Sequence, residues 1–275
     1  WKPKLQLFQG IFSPIFWMLG WILVVCIATF CVQCLDAKIF RVGFLSGKGT
    51  TYDKAVQLAL DQYGVELGGH SLVLERVAWC RCNDTSDLLE ELKRRPPLVA
   101  MISAGSSDST RRFLSAWNSK PVIELSATSQ DLSTFPNFVR IVPHDGVQSV
   151  AIVELIDHFG WKFVAVLSDS SMYGNLGADA VQRGLSERGI TELRLPNIAD
   201  DESALTAARQ AKESLFKVFV LFSSGEATRI YSQAAYKEKL FGRHFVYIMS
   251  DANRDFDVSD VAMFNIASGG FVLSP

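Results

Sequence analysis

The sequence predicts an α/β chain built from two parallel-sheet units. Two observations lead there. From Ile39 onward, short β-branched runs alternate with amphipathic stretches, and the alternation pauses near Ile141–Pro143 before starting again. Strict alternation of strand and helix at this spacing gives parallel strands covered by helices on both faces. A third observation sets the N-terminus apart: no charged residue occurs from Leu5 to Leu35.

The elements follow in order. Ile39–Leu45 reads as a strand and Tyr52–Tyr63 as a helix. Ser71–Ala78 is a strand, and Ser86–Arg94 a helix opened by cap candidates at 83–86. The basic run Lys93-Arg94-Arg95 before Pro96-Pro97 suits a helix C-terminus and stop. Val99–Ser103 is a buried strand, Ser109–Ser119 a helix and Val122–Leu125 a strand. Pro143 marks the crossing. Val147–Phe159 is then a helix, Phe163–Ser168 a strand, Gly177–Arg188 a helix and Glu192–Leu195 a strand. Ala204–Ser214 and Ala227–Lys239 are helices flanking the strand Val218–Phe222. In the later helix Ala227, Ile230, Tyr231, Ala234 and Ala235 share one face. His244–Met249 and Phe271–Leu273 close the series as strands.

Composition excludes several classes. Hydrophobic residues make up 48% of the 275 and charged residues 20%, which rules out disorder and low-complexity polymers. With 27 Lys and Arg against 29 Asp and Glu, the net charge is −2, and no basic face calls for a nucleic acid.

The stretch Ile11–Leu35 exceeds the apolar centre of a secretory signal and is long enough to cross a bilayer as a helix. Pro14 and the small residues near Cys34 and Ala37 suit a cleavage point instead. Signal peptide and membrane anchor both stay open for residues 1–36. Lys2 and Lys4 favour a cytosolic N-terminus, so either reading puts the rest outside the cell. The chain begins at Trp1 without Met and reads as a fragment. Asn83-Asp84-Thr85 is a glycosylation sequon at Asn83, in the exported part. Cys80-Arg81-Cys82 is too tight for an unstrained bridge, and no second pair or histidine cluster makes it a metal site.

Catalytic signatures are missing. Gly43 to Lys48 resembles a phosphate loop but is one residue short, and Gly49 follows Lys48 where a hydroxyl is needed. There is no nucleophile elbow, and the four histidines are scattered. No cofactor is called for, and the chain reads as a binding protein rather than an enzyme.

Ligands of open α/β sheets sit beyond the carboxyl ends of strands. Four such ends carry small or polar residues: Ile102–Asp108, Leu125–Ser129, Ser168–Gly174 and Met249–Asp251. The first two supply hydroxyls at Ser106, Ser107, Ser126 and Thr128, near a helix start that attracts anions. Taken alone, Ser106-Ser107 is equally a plain serine N-cap. Asp251, with Asp145 and the ring of Tyr173, suits an ammonium. Together they fit a zwitterion gripped from two sides, with closure about the hinge favoured by a ligand that touches both.

These segments resemble the ligand-binding ectodomain of class C G-protein-coupled receptors, most closely metabotropic glutamate receptors, within the wider type I periplasmic-binding-protein, or atrial-natriuretic-peptide-receptor-like, family. The likeness is carried by Gly105-Ser106-Ser107, Ser126–Ser133, Phe135–Pro143, Gly160–Val164, Tyr173-Gly174-Asn175, Ser250-Asp251 and Gly269–Phe271. It implies a bilobed receptor domain: residues 37–142 an incomplete first lobe, 143–270 the second, and 271–275 the start of a crossover back. It implies that Ser107 and Thr128, with Ser106 and Ser126 beside them, hold an amino acid's α-carboxylate. Asp145, Tyr173 and Asp251 would hold its amino group. Tyr52 stands near the place where glutamate-selective members carry an arginine, with Lys48 the nearest cation and Arg254 offset from a second. An α-amino acid is therefore implied, and glutamate is not specified. The family cysteine that would pair near Cys80 and Cys82 is absent. A homodimer is possible, and a G-protein partner follows only if seven spans lie downstream. Two alternatives share the domain type: a solute-binding protein for a transporter, and a receptor guanylyl cyclase.

Overall fold

The computed structural model describes residues 39–46, 51–63, 71–78, 86–117, 120–253 and 259–272. The expected N-terminal hydrophobic helix within 1–36, the glycine-rich turn at 47–50, Cys80, Cys82, the sequon at Asn83, Arg254 and residues 273–275 lie outside them. Two compact units emerge. One runs to Ala127 and takes in Leu132–Val142; the other combines Thr128–Asp131 with the chain from Pro143 onward.

In the first unit, β1 (Ile39–Ser46) lies between β2 (Ser71–Ala78) and β3 (Ala100–Ser103). Val42 faces Leu74 on one side and Ala100 on the other. β4 (Val122–Glu124) and β5 (Phe138–Arg140) extend the sheet past β3. All pairings are parallel. The chain visits β2 on one side of β1 and β3 on the other, so the topological switch falls between β1 and β3. The helices are α1 (Thr51–Tyr63), α2 (Ser86–Arg94) and α3 (Ser107–Ala116). Leu88 and Leu92, four apart on α2, are buried, as are Phe113 and Leu114 on α3. A short 3₁₀ turn, Gln130–Thr134, precedes β5.

The second unit has the strand order β10-β9-β8-β6-β7, again all parallel. The strands are β6 (Phe163–Ser168), β7 (Thr191–Arg194), β8 (Val218–Phe222), β9 (Val246–Met249) and β10 (Gly270–Val272). The helices are α4 (Asp145–His158), α5 (Met172–Glu187), α6 (Asp201–Ser214), α7 (Gly225–Lys237) and α8 (Val261–Ala267). Here the switch falls between β6 and β8. Side chains alternate across the sheet with period two. Ala165, Leu167, Phe219, Leu221, Tyr247 and Met249 pack into one cluster with the alanine face of α6. Val164, Val166, Val218, Val220, Phe222 and Ile248 pack into another with Ile152, Ile156 and Val181. Both faces are thus buried, which explains why these strands read as unbroken apolar runs.

Several boundaries differ from the sequence reading. Helix α5 begins at Met172, five residues before the expected Gly177, because Ser171 caps it by accepting from the Gly174 N–H at 3.0 Å. Gly174, left outside the expected helix, lies against Asp169, and Gly177 lies against Phe222. A Cβ on Gly177 would come within 2.1 Å of the Phe222 ring, so only glycine lets α5 lie this close to the sheet. Strand β5 and helix α8 are short and carried no periodic signal. Among the described residues no helix is long and apolar enough to cross a membrane.

Candidate functional site

In the first unit, the ends of β3 and β4 lead into two short segments with small polar residues. Ser106 is the N-cap of α3: its hydroxyl accepts from the Ser109 N–H at 3.3 Å and lies 2.9 Å from Ser109 Oγ. Ser107 follows as the first helical residue and is buried. Ser126 Oγ lies 2.9 Å from the Gly105 carbonyl and 3.1 Å from Glu124 Oε1, so this hydroxyl ties the two segments together.

Glu124, which the sequence reading passed over, is the most unexpected residue here. It ends β4 and has no solvent exposure at all. Its Oε1 accepts from the N–H groups of Leu125 (3.1 Å), Ser126 (3.0 Å) and Ala127 (3.2 Å). Its Oε2 accepts from Thr110 Oγ1 on α3 at 2.8 Å. Burial pushes the carboxyl above the usual carboxylate range, against the pull of these donors. A lone acid inside Val122-Ile123-Glu124-Leu125 was the available signal: a charge at an inward strand position needs partners.

The other predicted residues belong to the second unit. Thr128 is buried, and its carbonyl accepts from the Asp145 N–H at 2.9 Å. Asp145 is the first residue of α4 and is buried. His144 before it is the N-cap, with Nδ1 accepting from the Gly146 N–H at 3.1 Å. Tyr173 stands in the first turn of α5 with its ring 5.0 Å from that of Phe222. Its hydroxyl donates to Asp251 Oδ1 at 2.7 Å, and Asp251 opens the 3₁₀ turn that follows β9. Burial, then the Asp251 charge, raise the phenol well above its ordinary value, and the Asp145 charge acts in the same direction. Asp145, Tyr173 and Asp251 therefore share one electronegative neighbourhood.

A second acid missed from sequence lies beneath it. Asp169, directly after β6, is buried. Its Oδ1 accepts from the Ser171 N–H at 3.0 Å and from the Ser171 hydroxyl, and its Oδ2 from the Ser224 N–H at 2.7 Å. Ser171 and Ser224 are the N-caps of α5 and α7. An internal carboxylate thus occupies the crevice between β6 and β8, where helix starts otherwise attract anions. Among the described residues no group of three or more His, Cys, Asp or Glu could hold a metal ion.

Parallel sheets with capped helix starts and hydroxyl or carboxylate groups at the strand ends make each unit an α/β domain. The family model for the receptor family ligand binding region matches residues 83–268, more than half of the chain, and the chain belongs to that family. Relatives include the metabotropic glutamate receptor of Drosophila melanogaster, 33% identical over 129 residues (45% of this chain, 13% of the relative). Human taste receptor type 1 member 1 is 29% identical over 168 residues (57% and 20%). Mouse taste receptor type 1 member 3 is 31% identical over 194 residues (65% and 22%). These relatives are named as metabotropic glutamate and taste receptors, and the part of the chain that the family model matches is a receptor ligand-binding region. It spans about a fifth or less of the length of these curated relatives.

Proposed function

We propose that the chain is the extracellular ligand-binding region of a membrane receptor that takes a small α-amino acid between its two units, acting as lobes, and signals by their closure. The observation that carries this reading is the Tyr173–Asp251 pair at 2.7 Å. A carboxylate with two oxygens and about four lone-pair sites can accept a ligand ammonium while still holding the phenol. The ring of Tyr173 and the charge of Asp145 add attraction for a cation. Ser107 and Thr128, with Ser106 and Ser126 beside them, supply the hydroxyls for the α-carboxylate. Lobe closure follows because a ligand touching both sides binds the closed form better.

Coupling to a G protein, a homodimeric assembly, glycosylation at Asn83 and membrane attachment through residues 1–36 belong to the same proposal. They are supported by the receptor names of the relatives and by the charge-free N-terminal run. The test is a thermal-shift series on the full-length protein with each common amino acid. At least one is expected to raise the melting temperature. Asp251→Ala and Thr128→Ala should each weaken that ligand by at least about tenfold. No response to any amino acid, or full affinity in both variants, contradicts the reading.

A further inference from the structure

Glu124 contacts both polar segments of the first unit. Its Oε1 gathers three successive main-chain N–H groups, those of Leu125, Ser126 and Ala127, within 3.2 Å. Three such amides at a strand end make an anion-binding concavity. Here the protein's own carboxyl group fills it. The same oxygen lies 3.1 Å from Ser126 Oγ, and Oε2 reaches Thr110 on the helix that Ser106 caps. One buried side chain therefore fixes both the strand-to-loop segment after β4 and the helix after β3.

Two opposed effects act on its charge state: burial favours the protonated form, and the amide donors favour the ionised one. Amide N–H groups can only donate, and three of them meet one oxygen, which suits an ionised carboxylate better than a protonated one. The groups that hydrogen-bond it are neutral: Thr110 from α3 and its own Leu125–Ala127 segment. Arg140, its register partner on β5, sends its guanidinium to Ser133 Oγ at 2.7 Å and over the Phe138 ring at 4.9 Å. When ionised, Glu124 places a negative charge behind Ser126, a hydroxyl assigned to a negative ligand group. In a medium of low effective dielectric, such a charge acts over several ångströms.

We propose that Glu124 is a positioning and charge-selecting residue: it directs the Leu125–Ala127 amides and Ser126 inward, and it weakens the ligand carboxylate relative to a neutral group at the same place. This rests on the amino-acid reading given under Proposed function. It makes recognition in the first unit a matter of side-chain hydroxyls rather than main-chain amides. It also limits how tightly an acid can be held there.

The experiment is a cycle between protein charge and ligand charge. Equilibrium binding to the full-length protein at pH 7.5 is measured for the amino acid that gives the largest thermal shift and for its α-carboxamide, in wild type and E124Q. The preference for acid over amide is expected to rise about fivefold in E124Q. T110V, which removes only the Oε2 contact and no charge, should keep the wild-type preference within twofold. A purely structural Glu124 would shift both ligands equally, so an unchanged preference in E124Q overturns the inference and leaves the functional reading standing. Should E124Q fail to fold, E124D serves as the arm: it moves the charge away from the amides, and an unchanged preference there overturns the inference equally. No binding of either ligand in wild type overturns the functional reading and this inference with it.

Discussion

Glu124 and Tyr173 show how single residues take on charge behaviour from their surroundings. Burial of Glu124 raises its carboxyl in the folded state, so the folded protein binds a proton that the unfolded chain has already released. The sign follows from linkage: stability is greater below the ordinary carboxylate range, and falls as pH rises from there through the raised folded value. Glu124→Gln removes this dependence. The melting temperature of the variant relative to wild type should therefore increase between pH 4.5 and pH 8, read from paired thermal melts. A constant difference would show that the carboxyl is not raised. For Tyr173, the hydroxyl that holds Asp251 is separable from the ring that packs on Phe222. Tyr173→Phe keeps the ring and should weaken the amino-acid ligand by about fivefold, the worth of one ordinary hydrogen bond. Unchanged affinity would show that the phenol does not position Asp251. These two residues also mark what sequence reveals at this scale. Tyr173 and Asp251 were marked by their place at strand ends. Glu124 and Asp169 were not, because their roles depend on donors from other segments that no local spacing discloses.

At the scale of elements, close approach and shared helix starts organise the second unit. Helix α5 lies on the sheet where Gly177 meets Phe222. Gly177→Ala should destabilise the protein by about 1–3 kcal/mol through overpacking, measured as a lower urea midpoint at unchanged slope. A neutral result would mean that the helix shifts without resistance. Asp169 connects the caps of α5 and α7 through Ser171 and Ser224. Asp169→Ala leaves buried N–H groups without an acceptor and should cost about 1–3 kcal/mol. Most of these elements were legible in sequence. Long amphipathic helices and β-branched strands announce themselves by period. The three-residue β5 and the seven-residue α8 are too short to establish one, and they form because tertiary packing holds them. The first turn of α5 was hidden by Gly174, whose missing side chain leaves room for Asp169.

For the whole molecule, the two five-stranded parallel sheets of the described residues and membership of the receptor ligand-binding family are the frame on which the proposed recognition is built. In that proposal Ser106, Ser107 and Ser126 of the first unit supply hydroxyls, with the buried Glu124 against Ser126, and Thr128 belongs to the second unit. In the same proposal Asp251, Tyr173 and Asp145 come from the second unit, where Asp169 fills the crevice between β6 and β8. An ammonium is the group this second arrangement suits, and recognition of that charge is the central claim. The most direct measurement is isothermal titration of the full-length protein with the best-binding amino acid and with its N-acetyl derivative, which keeps the carboxylate and side chain but removes the positive charge. The account predicts one-to-one binding of the free amino acid and a loss of at least about tenfold on acetylation. Equal affinity for the two would contradict it.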